Sequence, residues 1–210
     1  MTPRISLVGL LAACVAPTDP ASATATLTVE LRLDHDDTED VALATVGVRL
    51  DEVIVEAAEG PEGDVSLSAV SSDEATLLEP GAPVAMAQLE LVAGSYDDAI
   101  VRVVLRESGP THALWATGSW QADDRLVPFD LEVRPTLTLV AQTDLTVDEG
   151  DRSRLVFSLR PDEWFDELDE DDLAGVSVLR LEPQSGPLYE AVIEDIVSST
   201  GAELVDEPNE

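Results

Sequence analysis

Residues 26–34 read Thr-Leu-Thr-Val-Glu-Leu-Arg-Leu-Asp. Leu27, Val29, Leu31 and Leu33 fall on one parity, and Thr28, Glu30 and Arg32 on the other. Successive side chains of a strand point to opposite faces, so this stretch predicts a strand with one face in a core and one in water. Val46, Val48 and Leu50 repeat the pattern. It slips at Asp51-Glu52, after which Val53 and Val55 take the other parity. A bulge or a new strand would cause such a slip.

The same reading extends along the chain. Further strands are expected over 64–70, 84–92, 99–106, 112–120, 125–133, 136–146 and 153–159, with a last one over 176–181. Turn signals punctuate them: Gly60-Pro61, the Pro80-Gly81-Ala82-Pro83 run, Gly94-Ser95, Gly109-Pro110 and Glu149-Gly150-Asp151. Many short strands with regular punctuation predict a mainly β protein, an antiparallel β-sandwich with a closed barrel as its rival. No long amphipathic helices alternate with the strands, which argues against a parallel α/β sheet.

Two segments read as helices. Pro161 to Leu168 begins with Pro and continues with acids, which suit a helix N-terminus. Over 187–200, Leu188, Tyr189, Val192, Ile193, Ile196 and Val197 form an amphipathic stripe, and Gly201 is positioned as a C-terminal cap. This second helix is expected to pack its apolar face on the sandwich. Residues 26–205 then form one β-sandwich domain with a C-terminal helical element, and 206–210 a frayed tail.

The chain has 210 residues, 44 acidic against 11 basic, and a formal net charge of -33. All the basic residues are Arg. Phosphate contacts need a cationic footprint, so nucleic acid is excluded as a partner. One Cys and two His leave no disulfide framework and no Cys/His zinc cluster. A hydrophobic fraction of 44% is too high for a wholly disordered chain.

Residues 1–17 read MTPRISLVGLLAACVAP. One positive charge at Arg4 precedes a short apolar run, Ile5 to Ala13, too short to span a bilayer. The run ends Leu11-Ala12-Ala13-Cys14, which resembles the lipobox of bacterial lipoproteins. The resemblance implies a signal peptide over 1–13, cleavage before Cys14, and a diacylglyceryl thioether on Cys14. Val15 in place of an Asp implies sorting to the outer membrane. Residues 14–25, rich in Pro, Ser, Thr and Ala, read as the lipidated N-terminus and a flexible tether. The bland alternative is a plain secretory signal with an incidental Cys.

Three further blocks resemble a family of bacterial lipoproteins that carry a prealbumin-like or immunoglobulin-like sandwich domain of unknown function. They are Ala44-Thr45-Val46-Gly47-Val48, the Ala93-Gly94-Ser95-Tyr96 turn with the strand from Ala99, and Asp162-Glu163-Trp164-Phe165-Asp166 followed by a polar helix. The resemblance implies a fold and an address in the cell envelope. It implies no activity.

Acidic clusters are the candidate metal sites. Asp34, Asp36, Asp37, Glu39 and Asp40 crowd one loop, Asp144, Asp148, Glu149 and Asp151 form a second group, and Asp166 to Asp172 holds a third. Calcium takes six to eight oxygen ligands, and such loops can supply them. Asp34, Asp36, Asp37, Asp40, Asp169 and Asp171 are the candidate calcium ligands. The EF-hand pattern is missing, and a solvated acidic surface explains the same residues. His35 and His112 stand in no Ser/His/Asp-like pattern, and no Gly-x-Ser-x-Gly occurs. No cofactor other than possible calcium is implied. Trp115 and Trp120 differ by an odd number, so a regular strand points them to opposite faces; burial statistics assign Trp115 to the core. An outward Trp beside polar groups could stack on sugar or clamp a peptide. Trp164 and Phe165 are expected to plug one end of the sandwich.

The expected role is non-catalytic: a lipid-anchored envelope module that displays binding surfaces to a basic, carbohydrate or protein partner. A calcium-dependent adhesion domain is the alternative, and a carboxylate-based hydrolase the third reading.

Overall fold

The structure is a computed structural model and describes residues 23–35, 40–70, 74–122, 125–150, 152–168 and 176–207. Among these residues are twelve strands and one α-helix: β1 (Thr24–Leu33), β2 (Val41–Ala57), β3 (Val65–Val70), β4 (Ala75–Leu77), β5 (Val84–Val92), β6 (Gly94–Arg106), β7 (Leu114–Ala122), β8 (Arg125–Val133), β9 (Thr136–Val147), β10 (Arg152–Leu159), β11 (Leu179–Leu181), α1 (Pro187–Ser199) and β12 (Gly201–Glu207). The strands make two sheets that sandwich one core. The smaller has the order β12-β10-β1-β5; the larger has β11-β8-β7-β2-β6-β9, with β3 and β4 also paired to β2.

The alternation in β1 organises the small sheet. Leu27, Val29, Leu31 and Leu33 are each at most 1% exposed. They face the inner rows of the large sheet, such as Val101, Val103 and Leu105 of β6 and Leu137 and Leu139 of β9, all buried. Burying each such side chain contributes about 1.5–3 kcal/mol before the entropy of ordering the chain is subtracted. Most pairings are antiparallel. Two are parallel, β1 with β10 and β8 with β11.

The parity slip at Asp51 is a bulge within one long strand. β2 pairs Leu50 with Leu105 and then Glu52 with Val104, leaving Asp51 as the extra residue. Val46, Val48 and Leu50 before it and Val53, Val55 and Ala57 after it are all buried. One extra residue therefore keeps both halves of the strand facing the core.

Three local expectations are corrected. The segment from Pro161 is not a helix through Leu168: one 3-10 turn covers Pro161–Glu163, and hydrogen-bonded turns follow to Leu168. Trp164 and Phe165 are 0% and 1% exposed, and tight turns aim both of these adjacent side chains inward. Phe165 stacks on Trp120 at 5.2 Å and lies 5.0 Å from Phe129. Second, Trp120 rather than Trp115 faces the core. Leu114 and Ala116 are buried on the inner face of β7, and Trp115, between them, lies outside across Gly47. A Cβ on Gly47 would sit 2.0 Å from the Trp115 ring, so the absent side chain makes the seat for the indole. Third, Gly201 does not cap α1. Thr200 ends the helix in an extended conformation, and Gly201 opens β12, which runs to Glu207, two residues into the stretch expected to fray. β12 pairs with β10 and forms an edge of the small sheet.

Helix α1 carries the chain from β11 in the large sheet to β12 in the small one, packing against β9 and the Pro161 turn. Among the described residues, no helix is long and apolar enough to cross a membrane.

Candidate functional site

Pro187 starts α1 at a position where a missing N–H costs nothing. The helical period then puts Tyr189, Val192 and Ile196 on the buried face, with Asp195 and Ser199 beside them. Two polar contacts pin the helix. The Tyr189 hydroxyl accepts from the Arg134 N–H at 3.0 Å and donates to the Arg134 carbonyl at 3.0 Å, tying α1 to the β8–β9 turn. Burial pushes the Tyr189 phenol above its ordinary pKa, so the hydroxyl keeps the proton it donates. The Asp195 carboxylate accepts from the Glu167 N–H at 3.3 Å, tying α1 to the turn after Trp164. Asp195 is 6% exposed. Its pKa is raised, chiefly by loss of water and further by the charges of Glu167, Asp166 and Glu194. Trp164 Nε1 is buried with no acceptor among the described residues.

The rest of the apolar stripe is less covered. Ile193 is half-buried and Val197 exposed, with Glu190, Glu194 and Ser198 beside them on the outward side of the helix. Val197 is 40% exposed. α1 contains no basic residue, so Glu190 and Glu194 leave this face acidic.

A second surface lies on the outer face of the large sheet. Leu77, Gly47, Trp115 and Glu132 form one cross-strand row over β4, β2, β7 and β8. Leu77 is 63% exposed. Beside the row, Arg134 donates to Glu132 at 3.0 Å and lies 3.9 Å from Glu107. His112 Nε2 is 3.2 Å from Arg134 Nη2 and 3.4 Å from Glu132 Oε1. A single ring nitrogen either accepts from Arg134 or donates to Glu132, according to the tautomer. These charges are engaged with one another, and the arrangement is that of a paired polar surface.

Of the candidate calcium ligands, Asp34 and Asp40 lie at the two ends of the β1–β2 loop, both exposed. Asp34 is 4.0 Å from Arg32, and its N–H bonds the Leu159 carbonyl. Asp40 offers its carbonyl to the Gln121 N–H. Asp36, Asp37, Asp169 and Asp171 lie outside the described residues, as does Cys14. Asp144 turns to Asp98, whose N–H it accepts at 3.0 Å. Asp98 adopts φ 50° at the β6 bulge, a left-handed conformation that Asp enters more readily than most residues. Among the described residues, no group of three or more His, Cys, Asp or Glu is placed to hold a metal ion.

That Val197 stays exposed was not foreseen, though its signal is in the stripe. Six apolar positions between Leu188 and Val197 exceed what one packing face can cover. No protein family, curated protein or solved structure matches the chain.

Proposed function

We propose that this protein is a lipid-anchored lipoprotein of the bacterial cell envelope, held in the outer membrane and acting without catalysis as a display module for binding. The observation that carries the reading is the position of the only thiol, Cys14, directly after Ala12-Ala13 at the end of a short apolar run. Small residues there admit a peptidase, and the Cys accepts the lipid. Two or three acyl chains give stable anchoring where one gives only marginal binding, at about 0.8 kcal/mol per buried methylene.

The fold suits this role. β1 begins at Thr24, leaving nine residues, 15–23, between the anchor and the sandwich. Fully extended they reach about 30 Å. A surface of net charge -33 is repelled by anionic headgroups and stands off the membrane. A rigid sandwich presents its loops outward.

Palmitate labelling of the wild type and Cys14→Ala in a bacterial host, followed by membrane fractionation, tests the reading. We expect the variant to lose both label and membrane association. A variant that stays in the membrane fraction would show that something other than the acyl chains holds the protein there.

A further inference from the structure

We propose that the outward face of Trp115 is a stacking platform for a neutral carbohydrate chain; this deepens, and rests on, the reading of the chain as a display module. The platform is made by a missing side chain. A Cβ on Gly47 would lie 2.0 Å from Trp115 Cζ2 and 2.4 and 2.5 Å from its ring neighbours Cε2 and Cη2. Those are the distances from a point directly over Cζ2, so the line from that Cβ meets the ring at a right angle. In a strand the Cβ stands out of the sheet. The indole therefore lies flat on β2, with one face on the Gly47 backbone and the other turned outward. Gly47 is buried beneath it and Trp115 is half-buried, as a ring sealed on one side is. Among the described residues no ring or guanidinium stacks on the outward side. A glycine inside a strand weakens it and marks a place of close approach; here it sets an aromatic ring flat and keeps it there, which removes part of the ordering cost of binding.

The border of the ring selects the occupant. Glu132 neighbours Trp115 in its cross-strand row, and Leu77 lies beyond Gly47. The next row of this face, about 7 Å along the strands, holds Thr45, Thr117 and Asp130. Hydroxyls and carboxylates thus edge a flat ring, and these groups bond sugar hydroxyls as donors and acceptors. The π face is negative and attracts the C–H bonds that line one side of a pyranose. Glu132 is held by Arg134 at 3.0 Å and by His112 at 3.4 Å, so its carboxylate is oriented before a ligand arrives. Charge beside the ring is offset, with Arg134 set against Glu132 and Glu107, which suits an uncharged ligand. A chain of net charge -33 repels anionic glycans and anionic bilayers. A basic peptide would be drawn to acidic surface everywhere rather than to this ring. An amphipathic helix needs a continuous apolar row, and here Glu132 and Asp130 interrupt the apolar surface beside Trp115 and Leu77.

The probes are cellohexaose, maltohexaose and mannohexaose, neutral chains of different linkage, with hexagalacturonate as the charged control. Binding to the purified full-length chain is read by isothermal titration calorimetry at millimolar sugar and by tryptophan emission. Trp164 is buried and Trp120 packs on Phe165, so a change in emission reports Trp115. We expect at least one neutral chain to bind with such a change, and the galacturonate not to bind. Trp115→Ala should weaken binding about tenfold, whereas Trp115→Tyr, which keeps a flat ring over Gly47, should stay within about threefold of the wild type. Glu132→Gln keeps the side chain's shape, loses the paired charge, and should weaken binding about fivefold. Val140→Ser, at an exposed apolar residue of β9 away from the ring, should change nothing. Three results would overturn the proposal: no binding of any neutral chain, equal binding of the galacturonate, or indifference to Trp115→Ala. Should Trp115→Ala not fold, indifference to Glu132→Gln would overturn it instead. None of these outcomes bears on the anchor, which stands or falls with Cys14→Ala.

Discussion

Strand β1 and helix α1 both carry an apolar row, and the molecule treats the two rows differently. In β1, four residues from Leu27 to Leu33 are sealed, and the strand has neighbours on both edges, β5 and β10. In α1, Val192 and Ile196 are sealed while Ile193 is half-buried and Val197 lies open. A strand has two faces, so alternation assigns each residue to one of them without remainder. A helix turns 100° per residue, and a stripe wider than one contact surface leaves residues over. The leftover in α1 is one of several places, Leu77 among them, where apolar surface remains open.

Substitutions can break or sharpen that contrast. The largest effect is expected for Leu31→Ala, which leaves a cavity between fully packed sheets and should cost about 2–5 kcal/mol in urea unfolding. A cost under 1 kcal/mol would mean the core is looser around β1 than its burial implies.

Asp195→Asn probes the buried face of α1, and its effect should depend on pH. The raised pKa means that folded Asp195 holds its proton at a pH where the unfolded chain has released it. The native state then binds more protons, and stability falls as pH rises from the ordinary carboxylate range, about 4, through the raised value. Asn keeps an acceptor for the Glu167 N–H and carries no charge. The variant should match the wild type at the acidic end and exceed it in melting temperature above that window. A difference independent of pH would remove the desolvated carboxylate as the cause.

Val197→Ser should be the mildest, within about 0.5 kcal/mol of the wild type by thermal melting, as for surface changes away from packing or caps. A loss comparable to that of Leu31→Ala would show that the open row is sealed in solution.

The elements most legible in the sequence are those with apolar alternation and flanking turns. β5 spans Val84–Val92 and β8 Arg125–Val133, the bounds the sequence predicts; β8 alternates strictly, while β5 changes parity at Met86, where its pairing with β1 shifts. β4 and β12 are different. Ala75–Leu77 is three residues long, and Gly201–Glu207 has few apolar positions. Neither has a periodic signal, and each exists because a partner strand, β2 or β10, offers it a ladder. The candidate site was half legible: the helix and its stripe were, but not which residues the sandwich would cover.

Local chemistry thus determined the β class, the parity slip at Asp51, the opposite facing of Trp115 and Trp120, and the existence of α1, because each depends on the period of neighbouring side chains. Tertiary structure decided which tryptophan entered the core, for that required Gly47 to seat Trp115 from across the strand pair and Phe165 to meet Trp120 from far along the chain. It also decided that β1 pairs in parallel with β10 and that Val197 stays open. Those outcomes depend on residues distant in sequence competing for the same finite surface, and no local pattern contains the result of that competition.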